Sequence, residues 1–187
     1  EFQILRLSRT LHVIVRNLIE FFAIVGIWLG TLQLLPTGMS SEVCIAAVIL
    51  ISLMKTAFFG AENIRQLAEA SRSNMRYHRF MLLMLINMVQ IILSFGLDYH
   101  CLHTVNPASF SLLLKAPTRF EIVFEFIYLS TLNFTFFGYG DVTPQTVSAK
   151  FITMTEIVLA FVTVIFLLSD FISLSESIRK PSTDKSS

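Results

Sequence analysis

The stretch Gly138-Tyr139-Gly140-Asp141 has the residue types best suited to chemistry in this sequence. Two glycines separated by one aromatic residue let the backbone turn its carbonyl oxygens inward, because glycine reaches φ/ψ values that a Cβ forbids. Carbonyl oxygens arranged in this way can replace the water shell of a cation. The sequence therefore predicts a loop that holds an ion through its main chain.

The apolar segment before this loop is predicted to be a short helix. Thr118 and Glu121 form a capping-box pattern ahead of an apolar run, so the helix should begin at Arg119 and end near Thr135. The carbonyl end of this helix would point at the glycine loop. Because that end carries a partial negative charge, it suits a cation.

The segment after the loop is predicted to be a second, longer helix. Thr143 and Pro144 have the residue types of an N-cap and of a first helical position, and a long apolar run follows them. The order of helix, extended glycine loop and helix predicts a re-entrant pore segment.

This region resembles the pore of the potassium-channel family over roughly residues 119–174, about a third of the chain. The positions that match the spacing of the family motif are Tyr128, Ser130, Thr135, Gly138, Tyr139, Gly140, Asp141 and Pro144. A single glycine-tyrosine-glycine sequence would be weak support, but its combination with a capped helix before it and an apolar helix after it is specific.

The resemblance implies a homotetramer around a central pore, with K+ as the permeant ion, no other metal and no covalent cofactor. The ion-binding filter would be formed by Phe136, Phe137, Gly138, Tyr139 and Gly140. The residues expected to support this filter are Tyr128, Thr135, Asp141 and Glu156. In the family, an aromatic residue at the position of Tyr128 donates a hydrogen bond to the aspartate after the filter.

The two residues before Gly138 depart from the family pattern, which has threonine followed by valine, isoleucine or leucine. The alignment from Tyr128 to Pro144 has no gap, which favours Phe136 as a substitution for the threonine. A one-residue insertion that keeps Thr135 as the filter threonine is the alternative. As a substitution, Phe136 would point four rings at the axis and hinder ions by excluding water, unless the rings pack outward behind the filter.

The composition of the whole chain indicates a membrane protein. The 187 residues are 54% hydrophobic with a mean hydropathy of +0.69, too apolar for a soluble domain. A net charge of +1 gives no reason to expect a nucleic-acid partner. The sequence has no paired carboxylates, no nucleophile with a base and no phosphate loop, so an enzyme is not expected. The first residues, Glu1-Phe2, are typical of a fragment or of an added sequence.

The fold expected is an all-α membrane protein with four transmembrane helices and a re-entrant pore helix. The predicted spans are residues 17–35, 43–60, 80–97 and 145–174. The predicted regions are an amphipathic segment at 1–16, a peripheral helix pair with a basic loop at 17–79, a pore domain at 80–174 and a tail at 175–187.

The basic residues predict the orientation of these spans. Lys and Arg concentrate in the N-terminal segment, in the loop at residues 61–79 and in the tail, whereas the first loop has none. With four spans, both termini would be cytoplasmic and the glycine loop would enter a cell membrane from outside. The loop at 61–79 could move the pore or bind anionic lipids, although a solvated helix is the simpler interpretation.

Ionisable residues inside the spans have alternative interpretations. Glu20 and Lys55 either pair with each other or reach the membrane interface separately. Glu156 either bonds to the back of the pore helix near Asn133 or Thr135, which is favoured, or lines the cavity. Asp170 near the inner mouth is interpreted as an interfacial aspartate that could also attract cations.

Two further hypotheses concern the outer ends of the spans. A metal site could be formed by Asp98, His100, Cys101 and His103, although loop histidines beside a membrane are common. Cys44 and Cys101 could form a disulfide, with free thiols as the favoured alternative.

The sequence leads to two functional hypotheses. The first is a tetrameric channel that conducts potassium, or cations less selectively, through a filter of carbonyl oxygens. The second is a non-conducting or altered-selectivity subunit that keeps the pore fold and acts as a membrane interaction or sensor protein. The second hypothesis rests on Phe136 and Phe137. Neither hypothesis identifies the gating stimulus.

Overall fold

The computed structural model describes residues 26, 30, 40–73, 77–113, 118–138 and 140–179. Its helices are α1 (Ser41–Ser73), α2 (Tyr77–Val105), α3 (Arg119–Phe134) and α4 (Val147–Arg179). Among the described residues, three segments are long and apolar enough to cross a membrane: Ser41–Gln66, Met81–Val105 and Val147–Leu168. The prediction of an all-α membrane fold is confirmed. The predicted N-terminal segment, nearly all of the first span with Glu20, and the last eight residues lie outside the described residues.

Helix α1 is longer than the second predicted span and includes most of the predicted polar loop. The observed helix extends beyond the predicted end of the span at residue 60, and polar residues in α1 lie on its buried face. These buried side chains recur at helical spacing and are Ser52, Lys55, Glu62, Asn63 and Gln66. The outward face of α1 is apolar and includes Leu50, Leu53 and Met54. An average of hydropathy along the sequence therefore places the end of this helix too early.

Helix α2 continues to Val105, although the third predicted span ends at residue 97. A 3₁₀ turn, Pro107–Ser109, follows it, and the side chain of Asn106 caps this turn by accepting a hydrogen bond of 3.1 Å from the Ala108 amide. Asp98 and Tyr99 are therefore buried residues of α2.

A short antiparallel pair of strands brings together the segments that precede and follow α3 in the chain. Strand β1 (Phe110–Leu112) pairs with β2 (Val142–Pro144), with Phe110 opposite Pro144. The prediction that Thr143 and Pro144 begin the last helix is therefore wrong. Helix α4 begins at Val147, and the hydroxyl of Thr146 accepts a hydrogen bond of 3.3 Å from the Ala149 amide, as an N-cap does.

The core surrounds α3, which contacts α2 and α4. A Cβ on Gly96 of α2 would lie 2.9 Å from the Ile127 Cα of α3, so the two helices approach as closely as glycine allows. A cluster of aromatic rings fills the outer part of this core. The Phe110 ring centroid lies 5.4 Å from that of Tyr99 and 5.1 Å from that of Phe126, both with edge-to-face geometry.

Candidate functional site

The N-terminal end of α3 is fixed by the predicted capping box. The Glu121 amide donates to the Thr118 hydroxyl at 3.3 Å, and the Thr118 amide donates to a Glu121 carboxylate oxygen at 2.6 Å. The pKa of Glu121 is lower than its ordinary value because the carboxylate accepts hydrogen bonds from Thr118. The backbone amide of Thr118 is the larger cause and its hydroxyl the smaller one. The capping box and the start of α3 at Arg119 are thus as predicted.

The C-terminal end of α3 closes in a Schellman turn. The Phe136 amide donates to the Asn133 carbonyl at 3.2 Å, and the Phe137 amide donates to the Leu132 carbonyl at 3.0 Å. Phe136 occupies the left-handed position of this turn with φ 60°, where glycine is usual. The sequence signal for this turn was missing because a phenylalanine replaces the glycine that normally marks it.

The hydroxyl of Thr135 lies at the carbonyl end of α3. It is exposed and donates to the Thr131 carbonyl at 2.7 Å. Because the hydroxyl proton is donated to the helix, both lone pairs of this oxygen remain available to accept a hydrogen bond or to bind a cation. The helix end adds partial negative charge at the same place.

The glycine loop follows this turn. Gly138 has φ 87°, a conformation that glycine adopts freely and residues with a Cβ do not. A Cβ on Gly140 would lie 3.1 Å from Leu132 Cδ1 and 3.5 Å from Tyr128 Cε1, so the loop runs back along the side of α3. Tyr139 lies outside the described residues.

The aromatic residues before Gly138 are exposed in the single chain. Phe137 is 82% exposed and Phe136 is 49% exposed. The Phe136 ring contacts the Phe161 ring of α4 in an edge-to-face arrangement, with ring centroids 6.4 Å apart and an interplanar angle of 79°. The structure therefore brings Phe136 against α4, a contact that the sequence did not predict.

Tyr128 and Asp141 are both exposed. In the part of the chain that the structure describes, no hydrogen bond joins the Tyr128 hydroxyl to the Asp141 carboxylate. The Tyr128 ring instead lies beside Gly140, as noted above. Support of the loop by this pair remains a prediction.

Glu156 of α4 lies fully buried behind α3. One carboxylate oxygen accepts hydrogen bonds from the Tyr99 hydroxyl and, at 3.2 Å, from the Asn133 amide. The other accepts from the Ser130 hydroxyl, which also lies 2.8 Å from the Ile92 carbonyl of α2. All four side chains have 2% exposure or less. Glu156 therefore connects the back of α3 to both long helices that contact it.

The sequence placed Glu156 near Asn133 or Thr135, and the structure brings it to Asn133 but not to Thr135. Sequence reasoning missed Tyr99, because the third predicted span ended at residue 97. It also missed the contact with Ser130, although Ser130 and Asn133 are three residues apart and therefore share one face of a helix. That spacing was the signal that would have identified the contact.

A second buried polar contact lies between α1 and α2. The Lys55 ammonium contacts an Asp98 carboxylate oxygen at 2.5 Å and the Ser94 carbonyl at 3.4 Å. Lys55 is 9% exposed and Asp98 is 3% exposed. The Asp98 partner of Lys55 was not predicted from the sequence, and the predicted pairing with Glu20 is not tested because Glu20 lies outside the described residues.

The ion pair also contradicts the proposed metal site, because the Asp98 carboxylate is bonded to the Lys55 ammonium. Among the described residues, no three His, Cys, Asp or Glu side chains are placed to hold a metal ion. Cys44 and Cys101 are both buried and do not form a disulfide, so the disulfide hypothesis was wrong.

A third polar contact joins α1, α2 and α4 deeper in the bundle. The Asn63 amide donates to the Thr163 hydroxyl at 2.7 Å, and the Asn87 amide donates to the Asn63 side-chain oxygen. All three residues are 0–1% exposed. Helix α1 is therefore connected to both α2 and α4 by buried hydrogen bonds.

Comparisons with known proteins agree with this geometry. Residues 90–176 match a family model described as "Ion channel", and this range contains most of α2, all of α3, the glycine loop and nearly all of α4. No curated protein and no solved structure matches the chain. The family match supports an ion channel pore domain in a membrane protein and points to transport, not to an enzyme.

Proposed function

We propose that four copies of this chain form a cation channel of the potassium-channel type. The observation that carries the proposal is the position of the glycine loop. It follows the carbonyl end of the capped helix α3, between two membrane-capable helices, within the range that matches the ion channel family. The ion path would run along the carbonyls of Phe136, Phe137, Gly138, Tyr139 and Gly140.

The tetramer follows from the number of ligands that a cation needs. Each chain contains one glycine loop, and one row of carbonyls cannot surround an ion. The other copies would cover apolar side chains of α3 that are exposed in the single chain, including Phe120 and Phe124. Both termini would lie in the cytoplasm and the glycine loop would face outside, in a cell membrane.

The geometry of the Schellman turn favours Thr135 as the filter threonine. Its hydroxyl has free lone pairs at the negative end of α3, whereas the Phe136 ring has none to offer. The left-handed Phe136 then acts as the inserted residue, and its ring contacts Phe161 of α4. This assignment replaces the substitution that the alignment without a gap favoured.

Cation flux into liposomes tests the channel. Protein reconstituted with a K+ gradient should pass K+, and Gly138→Ala should abolish the flux because alanine is strained at φ 87°. Gly60→Ala is the matched control, because no atom lies within 4 Å of the added Cβ in α1. Protein that passes neither K+ nor Na+ under voltage, pH, Ca²⁺ and membrane tension would refute the proposal.

A second candidate is a non-conducting subunit that keeps the pore fold as an interaction or sensor protein. It is favoured by the two exposed rings, Phe136 and Phe137, at the place where the ion should enter the filter. The same flux measurement separates the two candidates. If the purified protein is tetrameric by mass and remains impermeable to both cations, the second candidate is correct.

A further inference from the structure

The contact between Phe136 and Phe161 connects the start of the glycine loop to α4. Phe136 lies two residues before Gly138 and Phe161 lies near the middle of α4, so the contact joins segments that are 25 residues apart (161 − 136). Edge-to-face geometry is the arrangement that aromatic rings prefer. The contact therefore fixes two rings beside the cavity end of the loop.

The face of α4 that contains Phe161 has no polar side chain. Every exposed residue of α4 from Phe151 to Leu168 is apolar, and the positions are Phe151, Met154, Val158, Phe161, Ile165 and Leu168. Their spacing of three or four residues makes one continuous stripe along the helix. The opposite face holds the polar residues Glu156 and Thr163 in the core. An ion beside the apolar stripe would find no oxygen ligand among these side chains.

The backbone of Phe136 depends on this contact as well. A bulky residue in the left-handed region is strained and persists only when its surroundings hold it. The two hydrogen bonds that close α3 fix the main chain, and the contact with the Phe161 ring fixes the Phe136 ring. A displacement of α4 would therefore move the Phe161 ring away and free the Phe136 ring to rotate.

We propose that Phe161, together with Phe136, forms a hydrophobic gate directly below the filter, which closes the pore by excluding water and opens when α4 moves. The proposal rests on the channel function proposed above. In a tetramer, four ring pairs would surround the cavity end of the filter. A narrow apolar ring of this kind excludes water and hence ions without any charged barrier. Phe161 is thereby assigned as a gating residue that lies outside the filter sequence.

The first test compares K+ flux in liposomes among variants of the full chain. Phe161→Asn places a polar amide in the ring and should raise the flux at least roughly tenfold, equivalent to a barrier about 1.4 kcal/mol lower. Phe161→Leu, which keeps the site apolar but removes the ring, should give a smaller increase. Phe151→Asn is the matched control on the same stripe, at a ring that does not pair with Phe136 among the described contacts, and should leave the flux unchanged.

The second test does not depend on conduction. Thr135→Cys places a thiol above the proposed gate, and a charged thiol reagent applied from the cytoplasmic side should modify it faster when Phe161→Asn is also present. The native cysteines, Cys44 and Cys101, are both buried, and the chain without Thr135→Cys measures any contribution from them.

The two tests together separate the gate from the channel. Faster modification without flux in any variant would keep the gate and refute the channel. Flux and modification rates that are the same in Phe161→Asn and in the unmodified chain would overturn the gate and leave the channel intact. No flux and no change in modification rate would overturn both.

Discussion

On the side of α3 that faces the core, Ser130 and Asn133 are buried and bonded to Glu156, whereas at its carbonyl end Phe136 and Phe137 are exposed. The buried side holds three hydrogen-bond donors around one carboxylate. The carbonyl end has rings in place of side-chain ligands and relies on main-chain bonds for its turn.

The difference indicates how stability and function are divided along one short helix. Buried polar groups are expensive to leave without partners, so the back of α3 is specified tightly and should tolerate little change. Exposed rings contribute little to the fold of a single chain, so the carbonyl end can vary and alter conduction. Substitutions on the two sides should therefore separate loss of stability from change of flux.

The largest effect is expected for Glu156→Leu. The change removes three hydrogen bonds, at about 0.5–1.5 kcal/mol each, and leaves the buried Tyr99 hydroxyl without an acceptor, at about a further 1–3 kcal/mol. Ser130 keeps the Ile92 carbonyl and Asn133 keeps the Tyr99 hydroxyl, so we expect a total loss of roughly 4 kcal/mol. Thermal unfolding in detergent, followed by size-exclusion fluorescence, measures the loss.

Glu156→Gln is the control for this prediction. A glutamine amide can donate to the Ser130 hydroxyl, which then donates to the Ile92 carbonyl, while its oxygen accepts from Tyr99 and Asn133. It should therefore unfold close to the temperature of the unmodified chain. Equal unfolding temperatures for the leucine and glutamine variants would contradict the role assigned to these bonds.

The next effect tests whether the polar contact of α1 is as important as the one behind α3. Asp98→Leu leaves the buried Lys55 ammonium without its negatively charged partner and should cost about 3 kcal/mol, because a buried charge without a counter-charge is strongly destabilising. The double variant Lys55→Met with Asp98→Leu removes both charges and should recover most of the loss. If the double variant is as unstable as Asp98→Leu alone, the ion pair is not the cause.

Local signals in the sequence predicted α3 well but could not predict its surroundings. The start of α3 depends on Thr118 and Glu121, three residues apart, so the pattern contains the whole interaction. Its predicted end at Thr135 is one residue from the observed Phe134. By contrast, Pro144 is fixed by a strand partner, Phe110, that lies 34 residues upstream (144 − 110), and local residue types indicated a helix instead.

The buried polar contacts were the part of the site that sequence reasoning could not find. Lys55 and Asp98 lie 43 residues apart, and their pairing depends on how α1 and α2 pack. The predicted end of the third span at residue 97 excluded Asp98 by one position, and Asp98 was therefore considered only as a possible metal ligand outside the span. A helix with its polar face inward also lacks the simple apolar signal of a membrane span, which hid the length of α1.

The capping box at the other end of α3 should have a smaller effect. Thr118→Ala removes the side-chain acceptor of the Glu121 amide and should cost about 1 kcal/mol. Because Glu121 has a pKa below its ordinary value, its contribution is present above the ordinary carboxyl range and is lost as the pH falls through the lowered pKa. Thr118→Ala also removes the 2.8 Å hydrogen bond from the Thr118 hydroxyl to the Glu121 carboxylate, so the difference in unfolding temperature between the variant and the unmodified chain should become smaller as the pH falls. A constant difference at every pH would contradict the coupling of the two residues.

The smallest effect on stability is expected for Phe137→Ser, and it completes the comparison of the two sides of α3. Phe137 is 82% exposed and its amide, not its ring, closes the helix, so the serine variant retains the 3.0 Å bond to the Leu132 carbonyl. We expect a change within about 0.5 kcal/mol, as for other exposed positions. In a tetramer the same residue would lie beside the filter, so its K+ flux should change although its unfolding temperature does not. A fall in unfolding temperature as large as that of Glu156→Leu would show that the ring is part of the fold and that the two sides of α3 are not divided in this way.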